Sequence, residues 1–108
     1  MIDSQKLLVE MLGTMGITYV MCWATIFNDL NRLSKNELAL TYSFSTLVFI
    51  IFGFKISGGH FNPAITLSMA VLKKLELTQA IFYCLAQFLG SLVASGFIFI
   101  QMNDKITG

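Results

Sequence analysis

Charge is scarce in this chain: of its 108 residues only 12% are charged, seven basic and six acidic, for a formal net charge of +1. The basic residues are scattered rather than clustered, so no polybasic surface for nucleic acid exists and a nucleic-acid partner is excluded. Proline occurs once, at Pro63, and histidine once, at His60. A lone histidine with no cysteine beside it gives no metal centre. The two cysteines, Cys22 and Cys84, lie inside apolar stretches and fit neither a disulfide framework nor a ligand spacing. They read as small packing residues. No nucleophile stands beside a base and no cofactor motif appears, which argues against an enzyme and leaves no cofactor to expect.

What is abundant is apolar surface, with 56% hydrophobic residues and a mean hydropathy of +0.73. That balance belongs to a chain whose solvent is lipid. Uncharged or nearly uncharged stretches at about 7–27, 38–54 and 80–100 approach the roughly 20 residues needed to cross a hydrocarbon core of about 30 Å. The first is too long and too rich in Gly and Thr for a signal-peptide core, and it is expected to be a retained helix. It contains one charge, Glu10. An ionisable group inside a span needs a partner, which favours a buried carboxylate over the alternative of an interfacial one. The connection at 28–37 is polar and solvated. Small residues recur every four positions at Ala86, Gly90 and Ala94, with a polar stripe of Gln87, Ser91 and Ser95 beside it; Gly13 and Gly16 do similar service in the first span. These are helix-packing surfaces.

Polar backbone interrupts the apolar pattern at 57–66, S-G-G-H-F-N-P-A-I-T. Non-helical backbone at membrane depth is tolerated only where it is buried in protein or lines a watery cavity. Asn62 followed by Pro63 is a strong helix start, since Asn is a favoured N-cap and Pro suits the first helical position. At about 1.5 Å per residue, a helix over 63–72 reaches only half way across the membrane before Lys73 and Lys74 bring the chain back. The loop and half-helix at 57–72 are therefore expected to be re-entrant. Gly58, Gly59, His60 and Phe61, read as extended backbone, present carbonyl acceptors in a row, while Asn62 offers amide donors. Water satisfies both. The positive end of the half-helix disfavours cations. Lys6, Lys55, Lys73 and Lys74 then share one side and Arg32, Lys35 and Lys105 the other, a bias that places the amino-terminus and the re-entrant loop in the cytoplasm.

The segment resembles the first Asn-Pro-Ala box of the major intrinsic protein family, the aquaporins and glycerol facilitators. Glu10, Gly13 and Thr14 resemble the family's E-x-x-G-T signature, and Gln87 with Gly90 its Q-x-x-G pattern. Three motifs in the family's order cover the whole chain and correspond to the amino-terminal half of the family's fold. The implied class is an all-α membrane protein, an aquaporin-like half of three transmembrane helices and one re-entrant half-helix.

The resemblance implies roles as well. Asn62, Pro63 and Ala64 would form the central pore constriction, with Ile65 and Ile17 as the apolar wall and His60 steadying the loop and lining the pore. Tyr42 matches the aromatic part of the family's outer selectivity filter, and Thr46, four residues on, shares its face. Glu10 would hold the loop, with Gly13, Gln87 and Gly90 packing the helices. For His60 a purely structural hydrogen-bonding role, and for Tyr42 a packing or interfacial one, stay open. Gly59 stands where the family commonly has Ala, and Tyr42 where it carries Phe or Trp. The second Asn-Pro-Ala box and the filter arginine lie outside these 108 residues, so a second half is expected to complete the pore. The expected function is a passive channel for water or glycerol-like neutral solutes in a lipid membrane, homotetrameric when complete. The alternative is a non-conducting membrane protein that associates with others through the Ala86, Gly90, Ala94 stripe.

Overall fold

The computed structural model describes residues 2–107. Four helices follow one another: α1 (Ser4–Asp29), α2 (Lys35–Ser57), α3 (Pro63–Val71) and α4 (Leu77–Thr107). α1, α2 and α4 are long and apolar enough to cross a membrane. α3, at nine residues, reaches about 14 Å and cannot. α1 is the central element, packed against both α2 and α4, and α3 leans on α4. The described residues thus form an all-helical unit of three spans and one short helix.

α1, α2 and α3 each start where a side chain takes up a free N–H group. Asp3 accepts from Gln5 N at 2.9 Å to open α1. At α2, Ser34 and Glu37 form a reciprocal box: Glu37 N donates to Ser34 Oγ at 3.2 Å and Ser34 N donates to Glu37 Oε2 at 2.7 Å. Ser34→Ala removes one half of it and is expected to cost about 1 kcal/mol, read as a shift in thermal unfolding in mild detergent. Asn62 caps α3, with Pro63 at its first position. Gly58 ends α2 in the left-handed conformation, φ 94°, its N–H donating to Phe54 O.

The helices overrun the apolar stretches that mark them. α1 and α2 extend a few residues beyond 7–27 and 38–54, and α4 continues through the polar tail to Thr107. Hydropathy shows where lipid ends, but a helix needs only unbroken main-chain hydrogen bonding, and no Gly or Pro intervenes between Ile100 and Thr107. The extra turns are used. Gln101 Oε1 accepts from Tyr19 Oη at 3.0 Å and from Trp23 Nε1 at 3.2 Å, and Lys105 Nζ lies 4.9 Å from the Trp23 ring centroid. These contacts join the ends of α1 and α4.

Close approach sets the spacing of the core. A Cβ on Gly90 would lie 2.3 Å from the Met11 carbonyl oxygen, so α4 and α1 touch backbone to backbone. Gly16 instead receives the ring of Phe49 from α2.

Candidate functional site

Between α2 and α3 the chain turns through Gly58, Gly59, His60 and Phe61. The expectation of extended backbone is corrected here: Gly58, Gly59 and Phe61 all have positive φ, 94°, 62° and 49°. Glycine takes that region freely. Phe61 does not, and two features hold it there. Its N–H donates to Glu10 Oε2 at 2.7 Å. Its ring fills a slot between α1 and α2 that exists only because Gly13 and Gly53 lack side chains; a Cβ on either would sit 2.1 Å or 2.4 Å from the ring.

The loop's donors all turn inward. Gly59 N donates to Ser57 Oγ at 3.1 Å, His60 N to Glu10 Oε1 at 3.0 Å and Phe61 N to Glu10 Oε2. In a trans peptide the carbonyl points opposite to the N–H of the next residue. The Gly58 carbonyl is therefore aimed away from Ser57 Oγ, and those of Gly59 and His60 away from Glu10. Among the described residues, no hydrogen bond runs to a carbonyl of Gly58, Gly59, His60 or Phe61.

Glu10 is the hub, and every group around its carboxylate is a donor. Ser57 Oγ donates at 2.7 Å and Gln87 Nε2 at 2.9 Å, besides the two main-chain N–H groups. An acceptor-only carboxylate suits that arrangement. Gln87 Nε2 also donates to Thr66 Oγ1 on α3 at 2.9 Å, and Thr66 Oγ1 lies 3.1 Å from His60 Nδ1. In the circuit that uses every donor, the Thr66 hydroxyl accepts from Gln87 and donates to Nδ1, which assigns the His60 N–H to Nε2, beside Gly58. Tyr83 Oη donates to the Ser57 carbonyl at 2.7 Å and meets the His60 ring edge-on. The three spans, the loop and α3 are thereby tied to one buried carboxylate.

Asn62 is exposed at the start of α3. Its Oδ1 accepts from Ala64 N at 2.9 Å, so the amide nitrogen is the group left over, two donors facing out from the helix's positive end. Pro63, Ala64 and Ile65 lie exposed beside it, whereas Ile17 is buried in α1. Tyr42 and Thr46 sit apart from this cluster, half-buried on α2. The Thr25 hydroxyl donates to Met21 O, so in its bond with Tyr42 the phenol is the donor and α1 anchors the ring.

Sequence reasoning missed Tyr83, Gly53 and Thr25, and gave Ser57 and Thr66 no role of their own. Tyr83 had a signal: it precedes Gln87 by four residues, one turn along the same face of α4. Gly53 and Thr25 had none, since their importance lies in a ring supplied from elsewhere in the chain.

Three apolar spans around a short helix that is too brief to cross define a multi-pass integral membrane protein. The chain belongs to the major intrinsic protein family, whose model matches residues 2–107. It is 33% identical over 109 residues to nodulin-26 of Glycine max, covering 96% of this chain and 40% of that protein. To putative aquaporin NIP4-1 of Arabidopsis thaliana it is 36% identical over 106 residues, 96% of this chain and 37% of that one. To probable aquaporin NIP4-2 of the same plant it is 34% identical over 102 residues, 93% and 36% respectively. The chain thus spans 40% or less of the length of these relatives.

Proposed function

We propose that the chain is one half of a passive channel for water or small neutral solutes, completed by a second half that supplies the facing wall. The observation that carries this reading is the sorting of polar groups in the loop: the donors of residues 59–61 are consumed by Ser57 and Glu10, while their carbonyls and the Asn62 amide are left to a passing molecule. A water molecule can accept from Asn62 and donate to a carbonyl in one pass. A cation meets the positive end of α3 and is repelled. In this reading the amino-terminus and re-entrant loop face the cytoplasm, Tyr42 narrows the opposite mouth, lipid covers the outer faces of the spans, and four complete copies associate. Glycerol-like solutes pass only if that mouth is wide enough.

The test is osmotic shrinkage of liposomes holding this chain with a carboxy-terminal half from one of its relatives. Permeability above empty vesicles supports the reading, and none despite confirmed insertion opposes it. Sidedness is read by labelling cysteines placed at Lys55, Lys74 and Arg32, the first two on one side and the third on the other. Asn62→Asp separates conduction from folding. Asp is as good an N-cap as Asn, so α3 persists. The donors are replaced by an acceptor carrying charge, and permeability is expected to fall at least tenfold, on the order of the 1–3 kcal/mol that a mispaired buried polar group costs.

A further inference from the structure

α1 and α4 meet along a polar seam. Glu10, Thr14 and Thr18 recur every four residues and so form one stripe of α1. Glu10 Oε2 takes Gln87 Nε2 at 2.9 Å, and Thr18 Oγ1 stands 3.2 Å from Ser91 Oγ. Thr14 stands midway along that stripe and is buried. It is 6% exposed and Gln87 0%. Yet Thr14 Oγ1 and Gln87 Oε1 bond no protein group, each other included.

Neither orphan has an easy way out. The Gln87 amide cannot turn round, because its nitrogen supplies both Glu10 and Thr66 and the carboxylate accepts only donors. Its oxygen therefore stays a bare acceptor. The Thr14 hydroxyl has not taken the solution common in helices, donation to the carbonyl four residues back, as Thr25, Thr41, Ser43, Ser68 and Ser95 do. Buried polar atoms without partners are rare. Two of them on the packed helices α1 and α4, with no bond between them, are a setting in which an internal water is found.

We propose that one resident water sits in the α1–α4 seam beside Glu10, accepting from the Thr14 hydroxyl and donating to Gln87 Oε1. Thr14 then acts as a positioning residue: through the water it steadies Gln87, and through Gln87 the carboxylate that holds the re-entrant loop. This water is a fixed part of the fold, on the Oε1 side of Gln87, and is distinct from any molecule passing Asn62. Failure of the channel reading leaves the inference intact.

The test uses the isotope-labelled chain in lipid nanodiscs. Cross-relaxation between water and the Gln87 side-chain amide protons is expected in the wild type and in Thr14→Ser, and lost in Thr14→Val. Amide exchange at His60 and Phe61 should rise about tenfold in Thr14→Val, the scale of one stranded buried group, and less than about twofold in Thr14→Ser. No water signal in the wild type, or a signal that survives in Thr14→Val, overturns the proposal. So does an experimental structure with the Thr14 hydroxyl on the Glu10 carbonyl. Should Thr14→Val fail to fold, the wild-type signal and its retention in Thr14→Ser decide.

Discussion

Glu10→Gln is expected to unseat the re-entrant loop and to lower stability by about 3–5 kcal/mol, the sum of one stranded N–H and several weakened charge-assisted bonds. Four donors converge on two carboxylate oxygens, and the amide offers only one oxygen. If the new nitrogen takes the Oε1 position, it faces Ser57 and His60; the Ser57 hydroxyl can rotate to accept, but the His60 N–H has no partner. In the other orientation it faces the Phe61 N–H, which is stranded, and the Gln87 amide, which keeps a partner only by turning round and giving up Thr66. Neither choice keeps the loop's donors turned inward, so its carbonyls lose their fixed direction. Amide exchange at His60 and Phe61 should accelerate together while the middle of α2, which makes no bond to Glu10, stays protected. Unchanged protection at both amides would show that the loop is held by Phe61's packing between Gly13 and Gly53 rather than by the carboxylate.

How much of this was legible in the sequence follows from how local each feature is. The start of α3 is written in two adjacent residues, Asn62 and Pro63, and the three spans in runs of apolar side chains; both depend on neighbours in the chain. That a charge at position 10, inside a span, must have partners is legible from its place alone. Its set of four donors is not, because Ser57, His60, Phe61 and Gln87 arrive from three other segments. The left-handed turn at Phe61 was hidden for a related reason. A phenylalanine carries no local preference for positive φ, and the conformation is held by the Glu10 carboxylate and by the room that Gly13 and Gly53, on different helices, leave for the ring. The continuation of α4 past Ile100 was hidden because hydropathy reports solvent, while helix continuity there rests on the absence of a breaker and on Gln101 and Lys105 meeting Trp23.

Gly90→Ala is expected to destabilise the chain by about 3 kcal/mol or more, at or above the upper end of ordinary overpacking, whereas Gly96→Ala on the same helix is expected to be neutral or mildly stabilising. The difference lies in what a single methyl meets. At Gly90 it falls 2.3 Å from the Met11 carbonyl oxygen, 3.1 Å from Met15 N and 3.2 Å from the Met11 carbonyl carbon, all main chain, so no rotamer change can relieve it. At Gly96 it meets nothing within 4 Å, and Ala is the better helix former by about 0.8–1.0 kcal/mol. To admit the methyl, α4 must move off α1 by an ångström or so, roughly the shortfall between 2.3 Å and the ~3.5 Å of an ordinary contact. That displacement acts on the Glu10–Gln87 bond at 2.9 Å and the Thr18–Ser91 bond at 3.2 Å, which flank Gly90 in the same seam. Both would be stretched past hydrogen-bond range, and Gln87 would lose its grip on Glu10 and Thr66 at once. Thermal unfolding of the two variants in one detergent reads the contrast with the shared effect of helix propensity removed. Equal stabilities would mean that α1 and α4 lie further apart than backbone contact, and that the carboxylate hub does not depend on Gly90.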